Sequence, residues 1–347
     1  MPEDREKGMT IDIHAHMIAL AGAETEEKYK DIMPYLAHDA AGRETITAKG
    51  KPTFLLPEYL YRPELRIQEM DRNHVDMQVL SMMAPLARYD IDPQLGAGYS
   101  RIQNDAIARV VKAHPNRFVG LATVPLQDPR EAAKELERAM KELGMKGVEM
   151  ATDVNGKNLD WPELWPFYAK AEELGAFVLI HPGVPPGVEQ MREHALFNLI
   201  GYPFVTSLAA ASLIFGGVLE DFPRIKFCLA HGGGFIPYQR GRLDHGYMIK
   251  PECRRKISKL PSEYLKLLYF DTVTHYLPAL EYLIRTVGLD KVLLGSDYPF
   301  DVMDSNPVKT VDLLESISFQ EKKKIWGENA AQILGIDVEG GKIGTSK

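Results

Sequence analysis

Two histidines, His14 and His16, stand two residues apart in the apolar run "IDIHAHMI". If the run is a strand, its side chains alternate between faces. That alternation groups Asp12, His14 and His16 on one face and Ile11, Ile13 and Ala15 on the other. Such a pair of imidazoles suits the grip of one ion, and it equally suits a polar strand edge. Three further polar residues end apolar runs: His181 in "VLIHPG", His231 in "CLAHGGG" and Asp297 in "LLGSDYPF". Neutral imidazole and carboxylate are ligands for zinc and similar divalent ions, and three or four of them leave a coordination position open. Another histidine beside such a site can move protons at neutral pH, since its ordinary pKa is about 6.5. We assign His14, His16, His181 and Asp297 to one metal ion and His231 to proton transfer.

The surrounding pattern must bring these residues together. Short β-branched runs predict strands over 9–14, 75–81, 118–124, 146–151, 176–181, 226–231, 268–273 and 291–297, with amphipathic helical segments between them. Eight strands alternating with helices predict an α/β protein with a parallel sheet, and eight is the number that closes a (β/α)8 TIM-like barrel. All five polar residues then fall at carboxyl ends of strands, where barrel enzymes build their sites. A doubly wound open sheet lacks its best support, because no GxGxxG follows the first strand.

One barrel domain over 9–336 is expected, with an insertion over 17–64 and a flexible polar tail over 337–347. Within the insertion, "ETITAKGKPTFLL" reads as a small hairpin turning at Lys49–Gly50. The 347 residues are 45% hydrophobic, enough for a full core. The net charge of −7 is spread along the chain, and the absence of a long basic run argues against a nucleic-acid partner. Two cysteines, Cys228 and Cys253, form no disulfide framework, which points to the reducing cytoplasm. The charged start "MPEDREKGM" is unlike a signal peptide. The apolar stretch 197–219 is long enough for a membrane span, but Pro203 and the acidic segment after it favour a buried helix running from Phe204 to Leu219.

The ordered set "DIHAH", "IHPG", "AHGGG", "GRLDH" and "GSDYPF" resembles the amidohydrolase superfamily. It is most similar to the branch of aminocarboxymuconate-semialdehyde decarboxylase and related metal-dependent decarboxylases, and the likeness runs from about Ile11 to Ile336. The resemblance implies a distorted barrel with a single zinc, manganese being an alternative, on His14, His16, His181 and Asp297. It implies His231 as the proton shuttle and Arg242 as a substrate-binding residue. It also implies a homodimer or dimer-based oligomer in which that arginine reaches a neighbouring pocket. Two departures stand out. "FLLP" places Leu55 where the branch has a carboxylate-binding arginine, with Arg62 nearby in "YRP"; Gly183 follows His-Pro where the branch has tryptophan.

His275 in "TVTHY" is a further candidate for the pocket wall, and Glu149 raises the question of a second metal, for which no suitably placed lysine exists. The leading expectation is nonoxidative decarboxylation of a small conjugated or aromatic carboxylic acid. Hydrolysis of a lactone, amide or ester is the alternative, followed by a hydratase and by a non-catalytic metal-binding barrel.

Overall fold

The computed structural model describes residues 8–23, 25–48 and 58–337. Eight parallel barrel strands follow in chain order: β1 (Ile11–His16), β2 (Met77–Ser81), β3 (Phe118–Gly120), β4 (Gly147–Ala151), β5 (Phe177–His181), β6 (Lys226–Leu229), β7 (Tyr269–Asp271) and β8 (Val292–Leu293). Each expected strand is present. Pairing runs β1–β2–β3 and β4–β5–β6–β7–β8. A parallel bridge between Ala122 and Val148 joins the two groups, and another between Ala15 and Tyr298 closes the ring. Ile13 N donates to Leu294 O at 2.9 Å across the same seam.

Two apolar layers follow from the alternation of side chains. Ile11, Ile13, Val79, Phe177, Leu179, Cys228 and Leu293 fill the barrel interior and are capped by Ala330, Ala331 and Leu334 of the helix Asn329–Leu334. Leu80, Val148, Val178, Ile180, Phe227, Leu229 and Phe270 face outward into the helix layer. Burial of this kind stabilises by about 25 cal/mol per Å² of apolar surface.

β1 departs from strict alternation. Its register with β2 shifts between Asp12, opposite Gln78, and Ala15, opposite Leu80. One extra residue is accommodated as a β-bulge, which reverses the face on which later side chains point. Ile11 and Ile13 therefore face inward, and so do His14 and His16 beyond the bulge. Asp12 turns outward, away from the face that alternation alone gives it.

One other expectation is corrected, the extent of the apolar helix. The insertion contains a hairpin that pairs Tyr35–His38 with Glu44–Thr47. Its turn lies over 39–43, where the Asp39 carboxylate accepts from Ala41 N and Arg43 N at 2.9 Å and Gly42 takes φ +76°. Lys49–Gly50 and Leu55 lie outside the described residues, as does the tail from 338. The apolar helix spans Tyr202–Phe215 after a π turn over Phe197–Gly201, and it stops short of Leu219. Gly217 ends it at φ +83°, a conformation that suits glycine. The segment Glu193–Phe215 is long and apolar enough to cross a membrane by length and composition. In the fold its inner face is buried through Val205, Ala209, Ala210, Leu213 and Ile214.

Candidate active site

The bulge and the strand ends bring the expected group to one point. His14 Nε2 and His16 Nε2 lie 3.1 Å apart, and each is 3.2 Å from Asp297 Oδ1. His181 Nε2 is 3.7 Å from the same oxygen. One ligand atom from each of the four residues lies within 4.8 Å of the others, and all four residues are buried. His231 stands on the far side of the carboxylate, with Nε2 3.2 Å from Asp297 Oδ2. His231 (φ +56°) and Asp297 (φ +62°) are both left-handed, as is the cleft residue His275 (φ +55°). Such backbone strain collects at functional sites.

Two carboxylates hold the imidazoles from behind. Asp271 Oδ2 meets His14 Nδ1 at 2.7 Å and also accepts from His231 N at 2.9 Å, while its Oδ1 accepts from Gly232 N at 2.7 Å. Glu149 Oε2 is 3.5 Å from His16 Nδ1. His14 thus bonds a carboxylate through Nδ1 and turns Nε2 to the shared centre, the arrangement that fixes a metal ligand's tautomer. His16 Nδ1 faces Glu149 without a hydrogen bond, and His181 Nδ1 meets Pro182 O at 3.2 Å. Glu149 is therefore placed behind His16 rather than at a second ion.

The electrostatics fit a bound cation. Burial pushes His16 down to about 4 and His181 down to about 3, so both stay neutral, which is the ligand form. Burial also opposes charge on His14, but Asp297 and Asp271 outweigh it and hold His14 well above its usual value. Burial works against the Asp297 carboxylate too, and the histidines hold it ionised nonetheless. Two facing ring nitrogens 3.1 Å apart and a buried His181 Nε2 with no hydrogen-bond partner are further signs that a shared positive ion belongs here. Three imidazoles and one carboxylate fit a single divalent metal.

Comparison with known proteins agrees with this geometry. The model of the amidohydrolase family matches residues 11–336. The chain belongs to that family. This amidohydrolase is 36% identical to the 2-amino-3-carboxymuconate-6-semialdehyde decarboxylase of Dictyostelium discoideum, over 95% of the chain and 93% of the relative. Among solved structures it resembles 5-carboxyvanillate decarboxylase from Sphingomonas paucimobilis, with TM-score 0.80, 28% identity and coverage of 95% and 99%. It shares its fold with a dihydroxybenzoic acid decarboxylase from Polaromonas solved with bound manganese, with TM-score 0.77, 24% identity and coverage of 94% and 97%. All three of these proteins are decarboxylases by name.

In this amidohydrolase a cleft of about 590 Å³ opens over His231 and Asp297. Its wall is apolar and aromatic, with Tyr202, Phe235, Tyr238, Tyr276 and Tyr282 among the lining, and His275 joins them. Gly232, Gly233 and Gly234 are all left-handed and turn the chain from His231 into the helix Ile236–Ile249. The remaining two candidates are not brought to the cleft. Arg242 is exposed further along that helix, and Arg62 pairs with Glu58 at 3.2 Å on the surface. Neither is among the described lining residues of the cleft. Sequence reading passed over the tyrosines and Arg66. The signal for Arg66 is its place one helical turn before Met70, on the buried stripe of the helix Pro63–Arg72.

Proposed function

We propose that this chain removes the carboxylate of a small aromatic or conjugated acid without an oxidant, using one divalent ion on His14, His16, His181 and Asp297 and His231 as the proton donor. The observation that carries the reading is the placement of His231 Nε2. It lies beside Asp297 Oδ2 and faces the aromatic cleft from the edge of the four-residue cluster.

A bound divalent ion supplies Lewis-acid stabilisation of the substrate's oxygens and of the charge that builds as carbon dioxide leaves. The protein's own groups do the rest. The tyrosine-rich wall stacks the ring and excludes water. His231 Nε2 delivers a proton to the carbon bearing the carboxylate. The bond from that carbon to the carboxylate then breaks, its electrons return to the conjugated system, and carbon dioxide departs. Solvent at the cleft mouth restores the proton. Asp271 holds the His231 and Gly232 amides, so the proton donor and the ligand His14 share one anchor.

His275 on the wall is suited to a polar substituent of the substrate. The described lining contains no lysine or arginine. A second acidic group on the substrate is assigned to Arg242 of a neighbouring copy, with Arg62 as the alternative if its pair with Glu58 opens. A homodimer is supported by exposed Leu199, Ile200, Phe204, Leu208, Met248 and Ile249 on and near the two helices beside the cleft. The donor set favours zinc, and manganese fits the same carboxylate and imidazoles. Free Cys228 and Cys253 support a cytoplasmic setting.

The test is incubation of the metal-loaded protein with a panel of aromatic and unsaturated acids, with released carbon dioxide measured directly. Carbon dioxide in equal amount to the product is expected. Incorporation of water from labelled solvent, with no carbon dioxide, would replace this reading with hydrolysis or hydration.

A further inference from the structure

The face reversal that places both histidines inward depends on the bulge in β1, and the bulge carries its own support on the side away from the substrate. Asp12, thrown outward, is fully buried. Its Oδ1 accepts from His14 N at 3.1 Å and from Ser296 N at 3.0 Å. Its Oδ2 accepts from Ser296 Oγ at 2.6 Å and from Gln78 Nε2 at 3.0 Å. Gln78 is the residue opposite Asp12 at the register shift. Its Oε1 accepts from Arg66 Nη1 at 3.0 Å. Arg66 closes the chain: its Nη2 donates to the backbone oxygens of His16 and Tyr59, and its guanidinium lies 4.8 Å from the Tyr298 ring centre.

The network is thus a fork on one buried cation and a cup on one buried anion, joined by an amide. Arg66 is 1% exposed, Gln78 2%, Asp12 0% and Ser296 3%. It grips the backbone at His14 N, at His16 O and at the residue before Asp297, bracketing three of the four ligands. Burying a guanidinium in a helix–barrel seam is costly unless each donor is matched. A planar fork suits two acceptors at fixed separation better than an ammonium does. None of the four residues lines the cleft.

We infer that Arg66, Gln78, Asp12 and Ser296 are positioning residues that lock the β1 bulge, and thereby set the metal-binding geometry of His14, His16 and Asp297. The inference rests on the metal reading given above and adds the device that holds the ligands in place.

The experiment compares wild type with Arg66→Met, Arg66→Lys and Gln78→Leu, the last uncoupling Arg66 from Asp12 without removing the buried charge. Three quantities are read without substrate: zinc affinity by chelator competition, the visible absorption spectrum of the cobalt-loaded protein, and the metal-free unfolding temperature. Arg66→Met and Gln78→Leu are expected to weaken zinc binding about 10- to 100-fold, the usual range for outer-shell partners, and to alter the cobalt spectrum. Arg66→Lys, with the charge but no fork, should fall between. Variants that lose only unfolding temperature, with wild-type zinc affinity and cobalt spectrum, would overturn the inference. If Arg66→Met does not fold, Gln78→Leu decides alone. A wild-type protein that takes up no ion would overturn the metal reading itself, a result distinct from variants that match a metal-binding wild type.

Discussion

At the residue scale, His231 and Asp271 separate proton delivery from support. His231 meets the four-residue cluster through a hydrogen bond with Asp297 Oδ2 and ring contacts with His14 and His181, and it faces the cleft. His231→Ala should therefore keep one metal per chain while turnover falls about 10²- to 10⁴-fold, the usual worth of a positioned acid–base group. Metal analysis beside single-turnover release of carbon dioxide checks it, and substantial remaining turnover would remove His231 from the step. Asp271→Asn is expected to act differently. The amide has one oxygen where Asp271 uses two, so either the His14 imidazole and the His231 amide, which share Oδ2, or the Gly232 and Val273 amides, which share Oδ1, lose their acceptor. Both metal affinity and turnover at saturating metal should drop, measured by chelator competition and by kcat. The five residues of the proposed centre were legible in the sequence because each ends an apolar run with a polar side chain. Arg66 was not, since a buried hydrogen bond to the His16 carbonyl 50 residues away leaves no local pattern.

At the element scale, period-two runs found all eight barrel strands, and what escaped them was one inserted residue. A bulge leaves the composition of β1 unchanged but reverses every later side chain, so alternation put Asp12 on the wrong face. The hairpin of Tyr35–His38 and Glu44–Thr47 escaped for a different reason: its turn rests on the Asp39 carboxylate and on Gly42 at positive φ, not on a two-residue glycine turn. The turn after β6 makes its own prediction. Gly234 has φ +62°, and a Cβ there would meet Pro203 O at 2.1 Å. Gly234→Ala should push the His231 turn away from the helix Tyr202–Phe215, destabilise by about 1–3 kcal/mol through strain, and lower turnover. Thermal unfolding and kcat are the measurements, and an unchanged pair would show that the contact yields freely. On the opposite flank, Glu220 accepts from Ser258 Oγ at 2.7 Å and from the Tyr264 hydroxyl. Those hydrogen bonds, led by Tyr264, hold the Glu220 carboxyl below its usual range. A depressed carboxyl stabilises the fold above its unfolded pKa and loses that contribution as pH falls through the folded value. Glu220→Gln should flatten this acid limb by under about 1 kcal/mol, a small effect because the pair is near the surface.

At the scale of the whole molecule, the question is whether the ion holds the fold together or only the site. The barrel interior and the helix layer form two apolar clusters that owe nothing to a metal. Without the ion, the proton on His14 supplies positive charge between Asp271 and Asp297, so the buried carboxylates are not left unmatched. A small metal-nucleated domain has no such fallback and unfolds when stripped. Here a chelator should abolish turnover while far-ultraviolet circular dichroism stays native. The unfolding temperature should fall as the binding linkage is lost, a stability change of about 2.7 kcal/mol at a metal concentration 100 times its Kd. Returning zinc or manganese should restore activity, and the ion giving the higher turnover identifies the working metal. A protein that unfolds on chelation would instead carry a structural ion, and the decarboxylase reading would lose its active centre. That outcome is opposed by His231, which stands 3.2 Å from the shared aspartate and opens onto a cleft, where a purely structural site would be closed on every side.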